Sequence, residues 1–481
     1  MSSIKADTIS GIKWSAIGRF SVQGVSFLLG LLMARLLTPE DYGIIGMLGI
    51  FMAIAGTFVE SGFSNALIRK IDRTETDFST AFYFNIVVGL VCYGVLFLAA
   101  PFIASFFDTP ILKDVVRVIS LNIFIGSLTI VQNAKLTINL DFKTQAKISL
   151  ATTLLSGILG VVLAYNGFGV WALAFQSVTG NILSAILLWI ATKWRPTTPF
   201  SKASFHNLFS YGSKLLASGL LHTLYCNVTT LVIGKFYSPK DLGYYSRGEQ
   251  FASLPSINIT GILQRVTFPI FSTLQTDDAR LIQVYRKYIC IASMIIFFGM
   301  CLLAALAKPI IVIILTDKWS NSIIYLQVFC FALMFDHLCQ LNLNLLQVKG
   351  RSDLFLRLEI IKKTISFAIL IAAIPFGVFA ICVSKVVYTQ IAVYINTYYT
   401  GKLFGLGYTA QIKDFSKYLI CSLVSVLPAY LLTLTSLPHW LNICLGGVIA
   451  IGIYLLLLRK DNYMQEIIEL IKSYAYKVVK Q

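Results

Sequence analysis

The chain has 481 residues, of which 57% are hydrophobic and only 13% charged. Mean hydropathy is +0.77, which excludes a soluble globular protein of this length, because that much apolar surface could not be hidden from water. Lys and Arg number 39 against 22 Asp and Glu, a formal net charge of +17. The charges sit in short gaps between long apolar runs, so the excess reads as membrane orientation rather than nucleic-acid binding.

The apolar runs are 20 residues or longer, which fits membrane helices and not barrel strands, where about 10 alternating residues suffice. The expected fold is an all-α polytopic membrane protein with about 14 spans. They fall near 11–37, 41–66, 77–104, 113–138, 145–165, 169–192, 205–234, 241–274, 282–306, 322–347, 354–374, 376–400, 414–436 and 440–458. Spans 41–66 and 241–274 are polar for lipid-facing helices. The first six form one lobe (1–192) and the next six a second (205–400). The pair within 411–458 stands outside the repeat, and 461–481 follows as a tail. The first apolar stretch is too long and too polar for a cleavable signal, so it is expected to stay as the first helix.

A repeat supports the two lobes. Arg35-Leu36-Leu37-Thr38-Pro39-Glu40-Asp41-Tyr42-Gly43 is echoed by Lys235-Phe236-Tyr237-Ser238-Pro239-Lys240-Asp241-Leu242-Gly243. Each copy ends one apolar segment and opens the next. Pro101-Phe102-Ile103 returns as Pro309-Ile310-Ile311, and the Asn133 region resembles the Asn342 region. Internal repeats in a transporter place the substrate path between two pseudo-symmetric halves.

With the N-terminus inside, roughly 28 Lys and Arg fall on cytoplasmic segments and about 5 on the other side. An even number of spans then puts both termini in the cytoplasm. The nine cysteines lie in apolar spans without a CxxC pair, so they read as small hydrophobes, with no metal site or disulfide framework.

The second turn continues as Gly243-Tyr244-Tyr245-Ser246-Arg247-Gly248-Glu249-Gln250, then Leu254-Pro255 and Phe268-Pro269, with Ile233-Gly234-Lys235 upstream. Gly167-Phe168-Gly169-Val170-Trp171-Ala172-Leu173 opens the sixth span. In order and spacing these strings resemble the polysaccharide flippases (O-antigen and colanic-acid type) of the multidrug/oligosaccharidyl-lipid/polysaccharide exporter superfamily. The resemblance covers the first 12 spans. It implies a 14-helix, two-lobed transporter of the bacterial inner membrane. Its cargo would be an undecaprenyl-pyrophosphate-linked glycan. It also implies a polysaccharide polymerase and glycosyltransferases as partners, no cofactor and a monomeric state.

Ionisable residues at bilayer depth cost about 2.5–3.5 kcal/mol on insertion scales, so they tend to face a watery path. Arg247 and Arg265 are 18 residues apart, five helical turns, and therefore share a face. Asn258 and Gly261 lie close to that line, and Pro255 is expected to kink the helix. The plain alternative is a buried inter-helix network. The first span carries Ser15, Arg19, Gln23, Ser26 and Gly30 on one face. Its repeat partner carries Lys214, Ser218, His222, Tyr225 and Thr229 likewise. Arg19 is a cleft cation or a residue snorkelling to the interface. Lys385 lies mid-span and needs a partner or a cavity. The expected substrate-binding set is Arg19, Gln23, Arg247, Asn258, Arg265 and Lys385.

Three further residues are possible coupling groups. Asp336 and His337 are adjacent, so they point about 100° apart on a helix; pairing of Asp336 with Lys385 competes with a proton-sensitive role. Glu60 reads as an ion-pair partner of Arg19 or as a coupling carboxylate. Arg35, Arg117 and Lys235 read as interface or turn residues. The six Trp residues lie near span ends, as interfacial anchors do. In the tail, Met464, Ile467, Ile468, Ile471, Tyr474 and Val478 share a face, with Lys472, Lys477 and Lys480 elsewhere. That pattern suits an amphipathic helix on an anionic inner leaflet.

No outer loop exceeds roughly a dozen residues, too little for the water-exposed catalytic site of a polymerase or glycosyltransferase. No GxxxxGK[ST] phosphate loop is present, so ATP hydrolysis is not expected. The leading reading is a non-enzymatic flippase working by alternating access, its Arg groups pairing with the pyrophosphate. A drug or organic-cation antiporter of the same superfamily is the alternative, and it would need acids and aromatics in the cleft.

Overall fold

The structure, a computed structural model, describes residues 2–60 and 62–469, without the side chains of residues 2–13, 15–17 and 19. Among these residues there is helix and no strand. The chain divides into two compact units, Met1–Gly243 and Tyr244–Gln481.

The first unit contains α1 (Ser2–Leu36), α2 (Pro39–Glu60), α3 (Phe63–Arg69), α4 (Glu75–Phe106), α5 (Leu112–Ile119), α6 (Leu121–Ser127), α7 (Ile130–Ile138), α8 (Phe142–Tyr165), α9 (Val170–Thr192), α10 (Lys202–Phe236) and the first turn of α11 (Pro239–Thr273). The second contains the rest of α11, then α12 (Asp278–Ala305), α13 (Ala307–Leu315), α14 (Ser322–Leu333), α15 (Asp336–Val348), α16 (Ser352–Ala373), α17 (Val378–Phe404), α18 (Tyr408–Leu432) and α19 (His439–Leu458).

The helix starts follow from their caps. In the repeated turn, Thr38 N–H donates to Asp41 Oδ2 at 2.9 Å and Asp41 N–H to Thr38 Oγ1 at 3.3 Å. In the second copy, Ser238 N–H donates to Asp241 Oδ2 at 3.3 Å and Asp241 N–H to Ser238 Oγ at 3.1 Å. Both are reciprocal capping boxes with Pro at the first helical position, where its missing N–H costs nothing. Thr74 and Asp77 form a third such box at the start of α4, while Asp141 and Asp277 cap α8 and α12.

Ten helical segments are long and apolar enough to cross a bilayer, or eleven if the pair Leu112–Ser127 and Ile130–Ile138, bent by 41°, counts as one span. The remaining expected spans are the helices α1, α11 and α16; α11 is too polar and α16 too charged for that set, and α1 contributes the shorter apolar stretch Phe20–Leu36. Several expected single spans contain interruptions, although Pro39–Arg69 and Ser322–Val348 each still count as one span. Span 41–66 becomes α2 and α3, separated at Gly62, whose φ of +68° is left-handed. Span 113–138 becomes three short helices, and span 322–347 becomes α14 and α15. Conversely, α11 stays a single helix through both Pro255 and Pro269.

The boundary between compact units lies later than the lobe boundary drawn from the repeat. The physical reason is α10, which packs within the first unit through small residues. A Cβ at Gly62 would sit 2.8 Å from the Gly212 carbonyl oxygen, and one at Gly219 3.1 Å from Thr57 Cγ2. Thr57 and Thr223 share a hydrogen bond of 3.1 Å across the same seam. Phe63, Leu67, Phe78, Phe82, Trp194 and Leu208 form a core beside it.

The second unit is centred on fully buried Tyr245, Tyr285, Phe297, Trp319 and Phe329. It also buries a polar network. Asn342 Nδ2 donates to Gln411 Oε1 at 3.0 Å, Gln411 Nε2 returns a bond to Asn342 Oδ1 at 3.0 Å, and Thr400 Oγ1 donates to the same Oδ1 at 2.8 Å. Satisfied networks of this kind rigidify a core.

Not all Trp residues anchor at an interface. Trp319 is fully buried, and Trp194 is buried with its Nε1 on Glu75 Oε2 at 2.7 Å. Trp440 stays exposed, as expected of an anchor. The tail residues Ile471, Lys472, Tyr474, Lys477, Val478 and Lys480 lie outside the described residues. What precedes them is held: Met464 is buried, and Asp461 accepts from Lys417 Nζ at 2.7 Å and Tyr418 Oη at 3.1 Å.

Candidate functional site

The first unit holds a polar cleft of about 460 Å³ among α2, α3, α6, α7 and α10. Its polar lining is Thr57, Glu60, Ser64, Asn65, Asn122, Thr129 and Asn133. The chain breaks make it. Helix α2 ends at Glu60, and the left-handed Gly62 redirects the backbone into α3. The interruption between α6 and α7 opens the opposite wall. Gly56, Gly126 and Gly219 remove side-chain bulk from the lining.

Glu60 is exposed there and, among the described residues, is the sole ionisable group in the lining. Asn122 donates Nδ2 to Ser177 Oγ at 2.8 Å, while its Oδ1, shielded from solvent, has no protein partner. Amides and hydroxyls supply both donors and acceptors, the chemistry that hydrogen-bonds polyhydroxylated groups. The volume falls within the usual range for small-molecule sites.

In the second unit, Arg247 and Arg265 share a helix phase but not an environment. Arg247 is 8% exposed, donates to Gln250 Oε1 at 2.5 Å, and stands 5.6 Å from the Trp319 ring centroid. Beside it, Gly248 lets α14 approach: a Cβ there would meet the Leu326 amide nitrogen at 2.8 Å. Arg265 is exposed, and among the described residues no acid pairs with it. Asn258 turns its amide back to its own helix, donating to the Leu254 carbonyl at 2.8 Å.

Lys385 has a partner that sequence reasoning does not assign. Its Nζ lies 2.5 Å from Glu249 Oε1, both side chains about one-third exposed, and 4.9 Å from the Phe329 ring centroid. Asp336, the residue expected to pair with it, stands within electrostatic range of Lys385 but makes no direct ion pair. Glu249 was detectable in principle: a lysine in mid-span demands a nearby anion, and Glu249 is an acid in the motif string.

His337 is fully buried, with both ring nitrogens engaged. Nδ1 lies 2.8 Å from the Met334 carbonyl, which can only accept, so Nδ1 carries the proton. Nε2 then accepts from Ser293 Oγ at 2.9 Å. This is a packed histidine between α12 and α15, and it does not bond to Asp336. Gln23 is half-buried on α1. The Arg19 side chain, and with it an Arg19–Glu60 pair, lies outside the described residues. No cluster of three or more His, Cys, Asp or Glu among the described residues is arranged to hold a metal ion.

Comparison with known proteins gives a consistent result. Teichuronic acid biosynthesis protein TuaB of Bacillus subtilis (strain 168) is 26% identical over 74% of this chain and 74% of its own length. Lipopolysaccharide biosynthesis protein WzxC of Escherichia coli (strain K12) is 24% identical over 75% of this chain and 74% of its own. Among solved structures, the lipid II flippase MurJ in an inward closed conformation aligns over 94% of this chain and 99% of its own. The TM-score is 0.72 at 15% identity. An inward-facing multidrug resistance MATE family transporter aligns over 83% and 99%, with a TM-score of 0.61 at 17% identity. At such identities the structures establish a shared transporter fold. The profile of one sequence family matches residues 32–324, more than half of the chain; this multi-pass membrane protein therefore belongs to the polysaccharide biosynthesis protein family.

Proposed function

We propose that the protein flips a lipid-linked oligosaccharide, an undecaprenyl-pyrophosphate-linked glycan, by alternating access during surface polysaccharide export in a bacterial inner membrane. The observation that carries this reading is Arg265. It is an exposed guanidinium eight residues, about 12 Å, before the end of α11, with no acidic partner among the described residues. A cation at that depth is costly unless an anion or water meets it, and a forked guanidinium suits phosphate oxygens. The amide- and hydroxyl-lined cleft around Asn65, Asn122 and Asn133 supports a sugar cargo.

Arg19 remains in the proposed cation set, while Arg247 and Lys385 join it as groups held by Gln250 and Glu249 until cargo arrives. Asp336 and Glu60 are the proposed coupling acids. His337 is left a structural task. Both termini are placed in the cytoplasm by the positive-inside count, and the protein acts as a monomer alongside glycosyltransferases and a polymerase. The direct test is a deletion strain, in which the lipid-linked glycan should accumulate on the inner leaflet and be identifiable by mass spectrometry. Normal export with no accumulated intermediate would refute the assignment.

One observation favours a second reading, organic-cation export. Among the described residues, the sole ionisable one lining the first unit's cleft is a carboxylate, Glu60.

A further inference from the structure

A second, separate groove of about 610 Å³ lies between α16 and α17 in the second unit. Leu354 and Leu358, buried, form part of its floor. Exposed Ile361, Tyr394 and Tyr398 line its sides, and Arg351, Arg357 and Lys402 supply its charge. Tyr394, Tyr398 and Lys402 follow one another at i, i+4 and i+8, so α17 presents them on one face. Arg357 and Ile361 do the same on α16.

The acids nearby are already spent. Asp353 is held by Arg351, with Nη2 to Oδ2 at 2.9 Å, and Glu359 by Lys362 at 2.5 Å. Among the described residues no acid pairs with Arg357 or Lys402. The groove therefore carries two uncompensated cations at one end of an apolar channel. The first turns of α16 and the last turns of α17 lie at the same membrane interface, the cytoplasmic one in the positive-inside frame.

We propose that this groove is a binding site for an anionic phospholipid of the inner leaflet. The phosphate is taken by Arg357 and Lys402 with the tyrosine hydroxyls donating, and one acyl chain lies along Leu358 and Ile361. The amphiphile explains both halves of the lining. A free phosphate would leave the apolar channel unfilled, and a zwitterionic lipid would bring no net charge to the two cations, whereas an anionic head neutralises one of them. Basic pockets between membrane helices are a recurrent way of holding anionic lipid heads. The bound lipid would tie α16 to α17 and make the protein sensitive to leaflet composition.

The test uses the full-length protein in detergent with dioleoylphosphatidylglycerol, and with dioleoylphosphatidylcholine as the chain-matched neutral lipid. Native mass spectrometry should show one phosphatidylglycerol retained at collision energies that strip phosphatidylcholine. Arg357→Gln together with Lys402→Gln should weaken retention by roughly tenfold or more, as loss of charge-assisted contacts does. Arg195→Gln with Lys193→Gln, cations in the first unit, should leave it unchanged. A readout that needs no variant is hydrogen exchange of the wild type: phosphatidylglycerol, but not phosphatidylcholine, should protect residues 351–361 and 394–403. Equal retention of both lipids, or equal retention by the double variant, would overturn the proposal. Displacement by micromolar inorganic phosphate, or preferential retention of undecaprenyl pyrophosphate over phosphatidylglycerol, would also overturn it, in favour of a free-phosphate site or a cargo site.

Discussion

Gly43 packs against the carbonyl of Pro239, and the contact is returned, for Gly243 packs against the carbonyl of Pro39. A Cβ built at Gly43 would lie 1.6 Å from the Pro239 oxygen, and one at Gly243 1.8 Å from the Pro39 oxygen. The two copies of the repeated turn thus cross inside the first unit as near mirror partners, each glycine giving way to the other copy's first helical carbonyl. This explains why Pro and Gly recur in register. The proline sets the helix start, and the glycine four residues along admits the opposing backbone.

Because the obstacle is backbone, a side chain cannot be accommodated by a rotamer change. Gly43→Ala or Gly243→Ala should destabilise the protein by about 1–3 kcal/mol, the usual scale of overpacking. Gly94→Ala is the control: nothing lies within 4 Å of a Cβ there, and alanine is the better helix former. Thermal unfolding in detergent should show both turn variants lowered and Gly94→Ala unchanged or raised. Equal behaviour of the three would mean that the crossing is looser than described.

Much of this architecture was legible in the residues. The repeat, its caps and the long helices follow from apolar run length and from Ser/Thr-Pro-x-Asp chemistry. The helix breaks were not, because a break such as that at the left-handed Gly62 sits inside a run that hydropathy reads as continuous. The cleft depends on those breaks, so Asn65 and Asn122 carried no signal of their own. Arg247 and Arg265 show the limit of phase. Periodicity places them on one face, but the close approach of α14 at Gly248 buries one, while the other stays exposed.

The Glu249–Lys385 pair is half-shielded, so removing either partner singly should leave an uncompensated charge. Lys385→Met leaves a carboxylate without its cation, and Glu249→Gln leaves an ammonium; each should cost about 1–3 kcal/mol, between the surface and buried limits. The double variant should be more stable than the sum of the singles predicts. A double-mutant cycle by thermal unfolding checks this, and strict additivity would mean that the two charges do not interact.

Asp461 should act as an acid-labile clip for the segment that follows α19. Burial pushes its carboxyl up, but hydrogen bonds from Lys417, the Met464 amide and Tyr418 outweigh that, and the net shift is below the usual aspartate value of 3.8. A lowered folded value means stabilisation that is fully present above the unfolded value and lost as pH falls through the folded one. The clip should therefore hold at neutral pH and release only below about pH 3.8. Asp461→Asn should release it at neutral pH as well. Hydrogen exchange of residues 462–469 at both pH values reads this out, and unchanged protection in Asp461→Asn at pH 7 would count against the clip.

The last prediction separates the two functional readings. If the cargo head is a pyrophosphate, Arg265→Ala removes a charge-assisted contact worth about 1.5–3 kcal/mol, and export should fall roughly tenfold or more while the protein still reaches the membrane. Arg265→Lys should restore only part of it, because the ammonium keeps the charge but loses the fork. Glu60→Gln and Asp336→Asn should affect lipid binding less, though each can disturb coupling. For an organic-cation exporter the order reverses. Glu60 becomes essential because it is the anion in the cleft, and Arg265 becomes dispensable because a cationic cargo gains nothing from it. Surface polysaccharide is measured for each variant and normalised to membrane abundance. Full export by the combined Arg19→Ala and Arg265→Ala protein would remove the phosphate clamp, and loss of export in Glu60→Gln alone would then favour the carboxylate as the group that meets the cargo.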